Sequence, residues 1–162
     1  MTNKEFFMKC LEQEHPIFLR VFQALPEDKL DYRPHPRSMS AREIGGRILS
    51  DEFCNLGVIQ KGEFNVDETE KNASLQEMIT EFTQTHGELE KHLKEVDDQT
   101  WKEKKAKFSV QGQLVYEQPL GEFLWGVLFD QVHHRGQLSS YIRPMGGKVP
   151  SIYGPSGDDP GM

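Results

Sequence analysis

Cysteine is scarce, basic charge is outnumbered and long apolar runs are missing, and each shortage removes a class of protein. The two cysteines, Cys10 and Cys54, form no C-x-x-C pair and cannot build a disulfide framework. Both fall at apolar positions of a helical period, which marks them as reduced core thiols. Lys and Arg number 19 against 26 Asp and Glu, for a net charge of −7. The basic cluster Lys102-Glu103-Lys104-Lys105-Ala106-Lys107 is short and reads as a solvated loop. The electrostatic footprint of a nucleic-acid binder is therefore missing. No apolar run approaches the roughly 20 residues that cross a bilayer. Asn3-Lys4-Glu5 leads into an amphipathic helix rather than a secretory signal. The expectation is a soluble cytoplasmic protein with neither nucleic acid nor membrane as partner. Repeats and low-complexity stretches are missing too.

What the chain does have is length and period. Its 162 residues, 36% hydrophobic and 28% charged, suffice for one domain with one sizeable core. That domain is expected over residues 1–153. The tail 154–162, rich in Gly, Pro and Asp, is expected to be loosely held.

Helical periodicity recurs four times. The first helix spans about Asn3 to Leu25, with Phe6, Phe7, Cys10, Leu11, Ile17, Phe18, Val21, Phe22 and Leu25 in phase. Pro16 predicts a kink or break near Glu12 to His15, with His15 exposed. Asp31-Tyr32-Arg33-Pro34-His35-Pro36 predicts an extended crossing. Ser40 and Glu43 form a capping box for a second helix, about Ala41 to Gln60. Its apolar face reads Ile44, Ile48, Phe53, Leu56 and Ile59, with Arg47 and Asp51 within or beside it. Gly45-Gly46 suggests a close approach by another backbone or a ligand. Lys61 to Ala73 reads as a polar connection.

Ser74 and Glu77 cap a third helix, striped by Leu75, Met78, Ile79, Phe82, Leu89, Leu93 and Val96. His86 shares that stripe and reads as a hydrogen-bonded core residue. From Asp97 to Leu120 the helical pattern lapses. Trp101 is expected to dock on the helices, and a small hairpin around Gln111-Gly112 is expected between residues 105 and 118. The last helix runs from near Gly121 to Gly146-Gly147, with Leu124, Val127, Leu128, Leu138 and Ile142 in phase. Four striped segments imply an all-α four-helix bundle.

Asp130 and His134 interrupt the last stripe, one turn apart on one helix face. Burying a carboxylate and an imidazole demands partners. Two readings stand: oxygen and nitrogen ligands of a divalent metal, or a pair satisfied by each other or by an Arg from a neighbouring helix. No Gly-x-Ser-x-Gly elbow is present, which speaks against a serine hydrolase.

The run His133-His134-Arg135-Gly136-Gln137-Leu138, followed by Tyr141-Ile142-Arg143-Pro144-Met145-Gly146-Gly147 and Val149-Pro150, resembles the end of DinB-like proteins, which group with YfiT-like metal-dependent enzymes. Leu30-Asp31-Tyr32-Arg33-Pro34 and the Ser40-capped helix match the same pattern. The resemblance implies a four-helix bundle, often a homodimer. It also implies a divalent metal (Ni, Zn or Fe) on one His of the second helix and two of the last. Activities in the family include transfer of low-molecular-weight thiols, thiol-dependent maleylpyruvate isomerisation and hydrolysis.

Carried over position by position, His134 matches the later His of the last helix, Asp130 stands for the earlier one, and Arg47 stands for the first. A guanidinium has no lone pair for a metal. One reading is then a degraded site in which Arg47 pairs with Asp130, His134 and Asp51 line the pocket, and a metal-free bundle binds a small molecule or partner. A buried pair of this kind would make Asp130→Ala cost about 3–5 kcal/mol. The other is a metal-dependent thiol transferase or hydrolase with Asp130, His134 and either Asp51 or Glu52 as ligands. His133 is expected to face outward, and Arg135 and Gln137 to fix helix packing or a dimer.

Overall fold

The structure, a computed structural model, describes residues 1–66 and 73–161. Its elements are α1 (Asn3–Gln23), α2 (Ala41–Lys61), β1 (Glu63–Val66), α3 (Leu75–Glu95), α4 (Asp98–Glu103), β2 (Lys105–Val110), β3 (Gln113–Pro119) and α5 (Leu120–Ile142). The helix starts are set locally. Thr2 with Glu5, Ser40 with Glu43 and Ser74 with Glu77 each form a reciprocal capping box at the head of α1, α2 and α3. α2 stops at Gly62, whose φ of 79° suits a residue without a side chain.

α1, α2, α3 and α5 form the bundle, with α2 packed against both α3 and α5. Apolar side chains gather at its two ends. One cluster contains Phe18, Phe22, Ile44, Ile48, Phe82 and Leu138, and the other contains Phe7, Leu11, Val58, Leu89, Trp101 and Leu124. A three-stranded sheet in the order β1-β2-β3 packs beside the second cluster, β1 parallel and β3 antiparallel to β2. Gln111 and Gly112, at φ 50° and 74°, make the left-handed turn that joins β2 to β3.

Several expectations need correction. Pro16 does not break α1, which is continuous from Asn3 to Gln23. Proline removes one backbone donor, and the buried Leu11 and Phe18 on either side hold the helix in place. His15 is not an exposed bystander: its ring stacks on that of His86 with centroids 3.7 Å apart. The connection after Lys61 holds β1, and its remainder, residues 67–72, lies outside the described residues. The stretch after Asp97 opens with the short helix α4, capped by the Asp97 side chain. The hairpin extends to Pro119, beyond the expected limit of 118. Ile44, Ile48 and Ile59 of the expected α2 face are buried, as is Cys54, but Phe53 is 36% exposed and Val58 is buried instead.

Two tryptophans are tied to one asparagine. Trp101 and Trp125 both donate their indole N–H to Asn3 Oδ1, at 2.9 and 3.1 Å. Gly121 is required beneath Trp101, because any Cβ there would overlap the indole ring. Asn3→Ala strands both donors and is expected to cost about 1–2 kcal/mol. Urea unfolding followed by indole fluorescence measures it, and an unchanged midpoint would contradict the shared acceptor.

Segment 154–161 has no helix or strand, but side chains tie it down. Asp158 accepts from the Val149 amide at 3.0 Å and from Arg143 Nη2 at 2.8 Å, and Asp159 accepts from the Ser151 amide at 2.8 Å. No helix among the described residues is long and apolar enough to cross a membrane.

Candidate functional site

Where α2 meets α5, Arg47 and Asp51 come from one helix and Asp130 and His134 from the other. Arg47 Nη2 donates to Asp130 Oδ2 at 3.0 Å, and Arg47 Nε lies 3.4 Å from Asp51 Oδ1. One guanidinium thus bridges two carboxylates. His134 Nε2 is 3.5 Å from Asp130 Oδ2. Its Nδ1 lies 2.9 Å from Gln137 Oε1, within hydrogen-bond distance.

The group lies at a rim rather than in the interior. The side chains of Arg47 and Asp130 are 43% and 39% exposed. This corrects the inward placement of Asp130, while the His134 side chain is only 13% exposed. The residues on the buried side of α5 are Gln131 and Arg135, each 1% exposed, one position further on. A shift of one residue turns a helix face by about 100°.

Asp51 is the buried member of the group, and its Oδ2 has no hydrogen-bond partner. Burial, reinforced by Asp130 and opposed by Arg47, pushes its pKa up to about 8. Protonated, it can donate to Asp130. Burial and Asp51 push the Cys54 thiol up to about 12, which leaves it unreactive at neutral pH. The Tyr116 phenol on β3 is also raised, first by burial and then by Cys54 and Asp51. Burial works against the charge of Arg47, but Asp51 and Asp130 outweigh it and hold the guanidinium above its ordinary pKa.

A second polar group, only partly anticipated, lies deep between the apolar clusters. Glu52 turns away from the rim: Oε1 lies 2.9 Å from His86 Nδ1, and Oε2 accepts from Gln131 Nε2 at 2.8 Å. The reading of His86 as a hydrogen-bonded core residue matches this contact. His15, stacked on His86, has its pKa lowered to about 4 by burial and by His86. Arg135 of the His-Arg-Gly-Gln run also points inward, paired with Glu14, donating to the Tyr153 hydroxyl at 2.5 Å and lying 4.6 Å over the Phe18 ring. Gln137 is exposed and serves His134. Among the described residues, no three or more His, Cys, Asp or Glu side chains are grouped so as to hold a metal ion.

The architecture has solved counterparts. A DinB-like protein of Bacillus cereus superposes with a TM-score of 0.72 at 19% identity, over 92% of this chain and 97% of that one. A DinB-like protein of Bacillus subtilis does so with a TM-score of 0.67 at 17% identity, over 86% of this chain and 92% of the other. At these identities the likeness is one of fold. No curated protein matches the sequence. The sequence pattern of the DinB family matches from residue 1 to residue 160, so the chain, bundle and rim together, belongs to the DinB family.

Proposed function

We propose that this DinB-family bundle works without a divalent metal and binds a small polar molecule at the α2–α5 rim. The observation that carries the reading is the Arg47 guanidinium bridging Asp51 and Asp130. These residues do not suit a metal ion. Arg47 offers no lone pair and places a positive charge against both carboxyl groups that would hold the cation. Glu52, the alternative ligand, is engaged with His86 and Gln131. The half-exposed Arg47 keeps N–H groups beyond those aimed at the two carboxylates. They fit a ligand that offers a carboxylate or carbonyl oxygen.

The test has two arms. Protein purified without affinity tag or chelator is expected to carry far less than one equivalent of Ni, Zn or Fe, measured by elemental analysis. A stoichiometric metal lost on Asp130→Ala would overturn the reading in favour of a metal-dependent thiol transferase or hydrolase. In the second arm, small carboxylates and carbonyl compounds are screened by thermal shift, with stabilisation expected in wild type and lost in Arg47→Ala. The converse variant, Arg47→His with Asp130→His, is expected to gain Zn or Ni binding by isothermal titration. A folded double variant that takes up neither ion would count against the family correspondence of these positions.

A further inference from the structure

A polar layer crosses the bundle between its two apolar clusters. On α1, Leu11 belongs to one cluster and Phe18 to the other, with His15 between them. On α2, Asp51, Glu52 and Asn55 fall between Ile48 of one cluster and Val58 of the other. His86 holds the same place on α3, between Phe82 and Leu89, and Gln131 does so on α5, between Leu128 and Leu138. Among the described residues, four buried side-chain nitrogen and oxygen atoms have no hydrogen-bond partner, and all four are in this layer: His15 Nδ1, Asp51 Oδ2, and both Nδ2 and Oδ1 of Asn55. Asn55 is the extreme case. It is 0% exposed, in the middle of the buried face of α2, and neither amide atom turns back to the helix backbone or reaches Glu52. Burying an amide unpaired is costly, and a leucine at this position would carry no such cost.

We infer that this layer is a binding site for internal water, held by the Asn55 amide between Glu52 and Asp51. At about 100° per residue, Asn55 points roughly midway between those two side chains. Residues three and four apart on a helix have Cβ atoms about 5–6 Å apart, a gap that a water with a hydrogen bond on either side closes. The partners match in kind as well as in distance. Water accepts from Asn55 Nδ2 and donates to Asn55 Oδ1, to Asp51 Oδ2 and to Glu52. Each Glu52 oxygen has one partner, His86 Nδ1 at 2.9 Å or Gln131 Nε2 at 2.8 Å, and each can accept a second bond. Internal water makes about three such bonds to buried polar groups that otherwise lack them. A cation would satisfy Oδ1 and strand Nδ2, and an anion would do the reverse while facing Glu52. The occupant is therefore neutral, both donor and acceptor, and small. Asp51 joins the layer to the rim, since its other oxygen, Oδ1, lies 3.4 Å from Arg47 Nε.

Oxygen-17 relaxation dispersion on the full chain tests this. It counts water molecules held for longer than the protein takes to tumble, and it sees no exchangeable protein proton. The wild type is expected to show a dispersion, and Asn55→Leu to lower its amplitude by about one water molecule or more. The leucine removes both amide atoms, and its extra volume fills the place of the water. A second measurement needs no variant. In the rotating frame, the Asn55 side-chain amide of the wild type is expected to give a cross-peak to water of sign opposite to the diagonal, which marks dipolar contact rather than hydrogen exchange. Two results would overturn the inference: a folded Asn55→Leu chain whose dispersion amplitude equals that of the wild type, or a wild-type Asn55 amide with no dipolar contact to water. The second result decides the matter even where Asn55→Leu fails to fold.

Discussion

Arg135→Met is expected to lower the free energy of unfolding by about 3–5 kcal/mol, the cost of removing one member of a buried ion pair. The guanidinium is 1% exposed, paired with Glu14, bonded to the Tyr153 hydroxyl and seated over the Phe18 ring. Methionine can fill much of the side chain's volume, but it leaves Glu14 and Tyr153 without their donor. Arg135→Lys should recover only part of the loss, because an ammonium cannot reach both oxygens and stack on the ring at once. The measurement is the urea midpoint at neutral pH. A loss below about 1 kcal/mol for Arg135→Met, the size expected of an exposed pair, would mean that solvent reaches the guanidinium. The comparison is Asp130→Ala. Read from sequence, the Arg47–Asp130 pair was to be buried and its loss severe. Both side chains are instead about two-fifths exposed, 43% and 39%. The expected loss therefore falls below about 1 kcal/mol.

That reversal shows where the sequence was readable. The bundle was legible because its signals are local: the capping boxes at Ser40 and Ser74 begin two helices, and an apolar period runs along all four; the box at Thr2 and Glu5 went unread. β1 was hidden because Glu63–Val66 is a four-residue strand with two polar members, ordered by pairing with residues more than 40 positions away. Site residues posed a finer problem of phase. On α5 both Asp130/His134 and Gln131/Arg135 are polar pairs one turn apart, so the sequence does not say which pair faces the core. Packing decides it: Leu128, Gln131, Arg135 and Leu138 share the buried side. The proximity of Arg47 and Asp130 followed from the family correspondence. That Glu52, His86 and His15 lie together was not predictable without the crossing of α1, α2 and α3.

Stability should fall as pH rises from about 6.5 to 8, and Asp51→Asn should abolish the fall. Asp51 titrates at about 8 in the folded protein against an ordinary 3.8. Between those values the folded state holds a proton that the unfolded state has released, so raising the pH favours unfolding. His15 acts in the opposite direction. Its pKa is lowered from 6.5 to about 4, so between these values the unfolded state holds the extra proton and raising the pH favours folding. Below about pH 6.5 the two slopes oppose each other and the profile should be nearly flat. Above it His15 is neutral in both states and Asp51 acts alone, at up to about 1.4 kcal/mol per pH unit, for a total near 2 kcal/mol. Arg47 stays charged throughout, so the decline belongs to the buried carboxyl. Asparagine imitates the protonated acid and cannot ionise. Urea midpoints of wild type and Asp51→Asn at half-unit steps from pH 5 to 9 should therefore diverge steadily up to about pH 8: the variant rises to about pH 6.5 on His15 alone and is then flat, while the wild type is flat to about pH 6.5 and then falls. Parallel profiles would mean that Asp51 is ionised at neutral pH, and that the rim carries two carboxylate charges against one guanidinium.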